Sequence, residues 1–156
     1  MNYKHEINYE RFDHWEGLSL IEQQLVKSAQ EAMGHAYAPY SKFKVGAAVL
    51  LEDGTVITGN NQENIAYPSG LCAERVALFA AGANNADKQV RSIAITAEGD
   101  LLKDSEIVSP CGGCRQVMLE TERRQKSPCR IILVGQNGNA LVFNSAEDLL
   151  PLAFGS

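Results

Sequence analysis

Two apolar runs near the end of the chain, RIILV (130–134) and ALVF (140–143), are separated by only five residues, GQNGN (135–139). That link constrains the fold more than any other stretch. A connection so short joins antiparallel neighbours, because a parallel crossover needs a dozen or more residues. The sequence therefore predicts a β-hairpin here, added to a sheet whose other strands lie upstream.

Upstream, helical and strand periods alternate. SLIE (19–22) has the form of a capping box, with Ser19 as the cap and Glu22 reaching back. Leu18, Ile21, Leu25, Ala29 and Ala32 follow at three- and four-residue steps, predicting a helix to Met33 that Gly34 ends. Pro39 makes APYSKF (38–43) a loop. Residues 43–51 are expected as a buried strand, EDGT (52–55) as a turn, 55–58 as a returning strand and 60–70 as a long polar loop. A helix over 72–81 should turn Val76, Ala77, Phe79 and Ala80 inward, and 90–96 should be a strand. SPCGGC (109–114) opens a helix to Arg124, with Ser109 as its cap and Pro110 in its first position. SAEDLL (145–150) reads as a short capped helix. The order α-β-β-α-β-α-β-β-α gives an α/β fold: a mixed five-stranded sheet, its last two strands antiparallel, with helices on its faces. Residues 1–17 carry no clear period and read as an arm on the surface or on a neighbouring subunit. Residues 18–156 read as a single domain.

A chain of 156 residues with 45% hydrophobic content suits one core. The net charge is −5, and the most basic stretch, ERRQK (122–126), mixes signs and reads as the solvated end of a helix. Such a balance argues against a nucleic-acid partner, whose phosphates demand clustered basic side chains. Charged residues scattered through 1–16 leave no room for a secretory apolar segment, and no apolar run approaches the ~20 residues of a membrane span. A cytoplasmic, reducing setting is expected. There the four cysteines serve as metal ligands or core thiols rather than disulfides.

Cys111 and Cys114 form a C-x-x-C whose spacing puts both thiols on one side of a helix's first turn. Cys72 also stands at a helix start, where the helix dipole favours the metal-binding thiolate. Two such helix ends aimed at one point could bring three thiolates to one Zn²⁺ and leave a fourth position open. Singly, each feature has a plainer reading. Cys72 alone is a core thiol, C-x-x-C alone is a redox pair, and Cys129 could complete a structural four-cysteine site. Glu74 alone is a surface charge near a helix end. Together, CAE (72–74) and PCGGC (110–114) fill the zinc deaminase signature H-x-E…P-C-x-x-C in its three-cysteine form. The i, i+2 step works only if Cys72 lies at the first turn, so that Glu74 folds back toward it. Arg75 and Arg115, each beside a ligand, could donate to the sulfurs of a centre whose net charge is −1, or could form surface salt bridges.

At these residues the sequence resembles the small, homotetrameric cytidine deaminases. The likeness runs from Leu18 to Gly155 and includes YAPYSKFKVGAA, NQENIAYPSGLCAER, SPCGGCRQV and LLPLAFG. It implies a three-layer α/β/α cytidine deaminase-like fold. It also implies one Zn²⁺ per subunit on Cys72, Cys111 and Cys114, with Glu74 as proton carrier. Asn61 and Glu63 would read the ribose hydroxyls, Phe43 would wall the base pocket, and the Ala73 backbone N–H would face the pyrimidine carbonyl. Phe154 would close a neighbouring subunit's pocket, and Tyr67 would lie at a subunit contact. Arg75 is favoured over Arg115 as the donor to the sulfurs.

The expected reaction is hydrolytic deamination of cytidine and 2′-deoxycytidine to the uridines, with release of ammonia, in pyrimidine salvage. The Glu63 charge would repel a nearby phosphate, which favours a free nucleoside. Rival readings are a zinc deaminase of another cytosine-like substrate, such as a nucleoside antibiotic or a polynucleotide base, and a non-catalytic, zinc-stabilised binding module.

Overall fold

The computed structural model describes residues 1–100 and 107–155. Of the domain expected over 18–156, positions 101–106 and 156 lie outside the described residues. The elements are β1 (Glu10–Phe12), α1 (Leu20–Gly34), β2 (Lys44–Leu51), β3 (Val56–Asn60), α2 (Ala73–Asn84), β4 (Val90–Glu98), α3 (Gly112–Gln125), β5 (Arg130–Val134) and β6 (Ala140–Phe143). A 3₁₀ turn (Ala146–Leu149), capped by Ser145, follows β6.

Strands β2, β4 and β5 are apolar at odd and even positions alike because both faces of the sheet are covered. Ala47, Val49, Leu51, Ile93, Ile95, Ile131 and Leu133 pack on the side of α2 and α3. Ala48, Ala94, Ile132 and Val134 pack with Leu25, Val26 and Ala29 of α1 on the other. Each fully buried Leu or Ile contributes roughly 1.5–3 kcal/mol. The result is the expected α/β/α sandwich.

The strand order is β1-β6-β5-β4-β2-β3. β4 and β5 are parallel, joined through α3; β5 and β6 form the expected antiparallel hairpin. The sheet has six strands rather than five, because Glu10–Phe12 pairs antiparallel with β6. Arg130 fastens this added edge. It reaches Glu10 of β1 at 2.9 Å, Glu22 of α1 at 2.6 Å and Asn144 at 2.6 Å. Glu22 also accepts from the Ser19 backbone N–H at 3.0 Å, the reciprocal half of the expected cap.

Two helices approach the sheet so closely that only glycine fits beneath them. A Cβ on Gly46 would stand 2.0 Å from the Ala29 carbonyl of α1. A Cβ on Gly59 would stand 2.6 Å from both the Ala73 carbonyl and the Ala77 nitrogen of α2. That contact sets the rotation of α2. The buried stripe is Ala73, Glu74, Ala77, Leu78 and Ala81, and Phe79 points outward, contrary to the inward position expected of it. ERRQK is corrected too. Glu122 is buried, and its carboxylate accepts from the Cys129 and Ala146 backbone N–H groups and from the Ser145 hydroxyl, at 2.7–2.8 Å.

Register gathers one end of the sheet into a site. Val45 of β2 lies opposite Ala97 of β4, Thr96 opposite Val134 of β5, and Gly46 opposite Asn60 of β3. The starts of α2 and α3 reach this same end.

Candidate active site

Cys72 is the N-cap of α2, with extended backbone (φ −70°, ψ 151°). Cys111 is the N-cap of α3 (φ −65°, ψ 163°), two residues after the expected Ser109 cap. Pro110 lies outside the helix, its carbonyl accepting from Arg115 Nε at 2.8 Å. Holding the chain extended through Cys111 turns its thiol toward Cys72. Cys114 follows in the first turn of α3, fully buried.

The Cys72–Cys111 sulfurs are 3.9 Å apart and the Cys111–Cys114 sulfurs 3.4 Å. All three ligand atoms lie within 4.8 Å of one another. With zinc–sulfur bonds of about 2.3 Å, a tetrahedral centre spaces its sulfurs at about 3.8 Å, so the three thiols fit such an ion. Among the described residues this is the one group of its kind. Cys129 is not part of it; it lies buried in the core beside α3, where burial raises its thiol pKa.

Charge is uneven within the cluster. Cys72 is drawn below the usual thiol range, first by a hydrogen bond with Cys114 and also by Arg75; Cys114 is correspondingly raised. Cys72 is thus favoured as the thiolate, the form that binds metal. Arg75 stands 3.7 Å from the Cys72 sulfur. Arg115 does not join it. Its guanidinium donates to the Leu149 carbonyl at 2.9 Å and so ties α3 to the 3₁₀ turn.

Glu74, the second residue of α2, is 5% exposed and borders the cavity beside the cluster. Burial raises its carboxyl pKa, and the neighbouring Cys72 charge adds to the effect. The i, i+2 difficulty dissolves because Cys72 sits outside the helical repeat.

The cavity holds about 390 Å³, within the range of small-molecule sites. Strand residues Val45, Ile95, Thr96, Ala97 and Val134 line it, together with Cys72, Glu74, Arg75 and Cys111 from the two helix starts and Phe43, Asn61, Glu63 and Tyr67 from the loops. The loop that carries Glu63 is tied at its base, where Gln62 and Leu71 exchange backbone hydrogen bonds of 2.9 and 3.0 Å. Asn61 is held by its own amide, accepting from Val45 N–H and donating to the Phe43 carbonyl, each at 2.8 Å. Glu63 accepts from the Tyr40 and Ser41 backbone N–H groups at 2.9 and 3.2 Å and from the Ser41 hydroxyl. Hydrogen bonding from Ser41 above all keeps its carboxyl below the usual range. Ala73 is completely buried; as the first residue of α2, its N–H has no intrahelical acceptor. Phe154 is 87% exposed. Its backbone is fixed to α3 by Gln116, at 3.1 and 3.3 Å, so its ring lies outside this chain's own cavity.

Sequence reasoning passed over Tyr40 and Ser41. The available signal was the turn after Pro39, which Lys42 closes in the left-handed region (φ 56°) and which aims successive amides at one carboxylate.

Residues 20–129, which contain every member of the thiol cluster and Glu74, match the family described as the cytidine and deoxycytidylate deaminase zinc-binding region. The chain belongs to this family. It is 48% identical over 98 residues to a cytidine deaminase of Halalkalibacterium halodurans, covering 63% of this chain and 70% of that protein. With a cytidine deaminase of Mycobacterium tuberculosis it shares 37% identity over 131 residues, 82% of this chain and 85% of the relative. The crystal structure of cytidine deaminase from Burkholderia pseudomallei superposes with a TM-score of 0.73 at 42% identity, covering 85% of this chain and 98% of that one. Zinc is thus the family's metal, and the thiol cluster is the group able to hold one ion. Among the described residues no helix is long and apolar enough to cross a membrane.

Proposed function

We propose that this chain is a zinc-dependent hydrolase that converts cytidine and 2′-deoxycytidine to the uridines and ammonia. One observation carries the reading: a nearly enclosed carboxylate, Glu74, borders a nucleoside-sized cavity beside a three-thiol cluster that fits zinc. Zinc bound there would supply a water activated near neutral pH. Glu74 takes a proton from the attacking water and passes it to N3 of the pyrimidine as the oxygen adds at C4, then moves the remaining hydroxyl proton to the departing amino nitrogen as the C4–N bond breaks and the C4 carbonyl forms. Its raised pKa suits a group that must hold a proton between those steps. Phe43 walls the base, Asn61 and Glu63 face the sugar, and the Ala73 N–H meets the pyrimidine carbonyl. Arg75, 3.7 Å from a thiolate, offsets the surplus negative charge of the centre.

The short 135–139 hairpin link, the net charge of −5 and the Glu63 carboxylate favour a free nucleoside over a polynucleotide. The position of Cys129 in the core argues against a four-cysteine structural site. We read 18–156 as the deaminase domain, and 1–17 as an arm that lends its strand to the sheet. Exposed Ile65, Tyr67 and Phe79, with the outward Phe154 ring, favour a homotetramer with sites at subunit interfaces. Four free cysteines favour the cytoplasm.

The purified, zinc-loaded chain should form uridine and ammonia from cytidine. A chelator should abolish turnover, and zinc should restore it. A zinc-loaded chain that leaves both nucleosides unchanged would overturn the reading, and turnover confined to oligonucleotides would select the polynucleotide rival. Light scattering of the same sample tests the tetramer.

A further inference from the structure

We infer that Ser41 is a positioning residue that fixes how the sugar is read, a role that rests on the proposed nucleoside chemistry. Its hydroxyl works in two directions. It donates to Glu63 Oε1 and accepts from the Phe43 backbone N–H at 3.0 Å. One side chain thus ties the sugar-facing carboxylate to the wall of the base pocket, across loops that are 22 residues apart in sequence. The Ser41 and Tyr40 backbone N–H groups occupy the other carboxylate oxygen, Oε2.

The arithmetic of acceptor sites gives this clamp a chemical meaning. A carboxylate offers about four lone-pair sites. Three are occupied by this turn, so Glu63 retains one, on Oε1, for a ligand. Glu63 therefore accepts from a single sugar hydroxyl, in a direction that Ser41 dictates. Ser41 is itself exposed, which makes its removal a local change.

The test compares Ser41→Ala with the wild type on cytidine and on 2′,3′-dideoxycytidine, which lacks the 2′- and 3′-hydroxyls from which Glu63 would accept. Removing one hydrogen bond to a charged group should raise KM for cytidine by about tenfold, with kcat changed far less. KM for the dideoxy substrate should stay within about twofold, since that substrate never used the bond. Ser41→Thr keeps the hydroxyl and should restore cytidine KM. Zinc content and melting temperature should match the wild type in both variants. Equal KM increases for both substrates would overturn the proposal, as would no change for either. The wild type's own turnover of cytidine judges the underlying function separately.

Discussion

Glu74 shows how a single position acquires its chemistry from what surrounds it. Its carboxylate is nearly enclosed, raised in pKa by burial, and placed beside the three thiols by a cysteine that caps the helix. Glu74→Gln keeps size and hydrogen-bonding capacity but cannot carry a proton. It should retain one zinc per chain and an unchanged fold while ammonia release falls by at least about 10²-fold; near-normal release would remove Glu74 from its role. At this scale the sequence was legible where spacing alone gathers side chains: three cysteines brought into one cluster, with a glutamate bordering the cavity beside it. It was opaque where a partner decides. Glu122 lies in a charged run that looks solvated, yet donors from Cys129, Ser145 and Ala146 surround it. Those donors come from the residue before β5 and from the 3₁₀ turn after β6, and no local pattern announces them. Arg115 is similar, since its target is the distant Leu149 carbonyl.

Among elements, the strands with both faces covered were the easiest to read, because burial on two sides leaves a continuous apolar run. β5 and β6 fall at the expected residues. β1 escaped notice because three residues of mixed polarity take their strand identity from the β6 backbone and from Arg130. The rotation of α2 escaped for a related reason. Its inward stripe is chosen by where Gly59 lets the helix settle, not by which apolar residue is largest. Gly59→Ala is a sharp probe of that contact. The added methyl would sit 2.6 Å from α2 backbone atoms, which cannot retreat as a flexible side chain would. The helix start must shift, carrying Cys72 and Glu74 with it. We expect about 1–3 kcal/mol of destabilisation by urea unfolding, together with a fall in turnover larger than stability explains. A variant with full activity would show that α2 is not seated by this glycine.

For the whole molecule, Arg130 links β1, α1 and β5, and its bond to Glu22 confers a dependence on acidity. Burial pushes the Glu22 carboxyl up, but hydrogen bonds from Ser19 and Arg130 outweigh it and leave the pKa lowered from 4.5. A group whose folded pKa is depressed stabilises the native state above its unfolded value. That contribution fades as pH falls through the folded value. Wild type should therefore exceed Glu22→Gln in urea midpoint at about pH 6, and the gap should narrow at about pH 3.5. A constant gap would mean that the pair is held by packing alone. The spacing of the thiols has a further consequence at this scale. Cys72 and Cys111 lie 39 residues apart, at the starts of α2 and α3. An ion held between them closes a loop in the chain, and by the entropy arithmetic used for cross-links a loop of that size restrains the unfolded state by about 4 kcal/mol. Stripping the metal should lower the melting temperature of Glu74→Gln as much as that of the wild type, because the ion would be a staple for the chain as well as a reagent for the substrate.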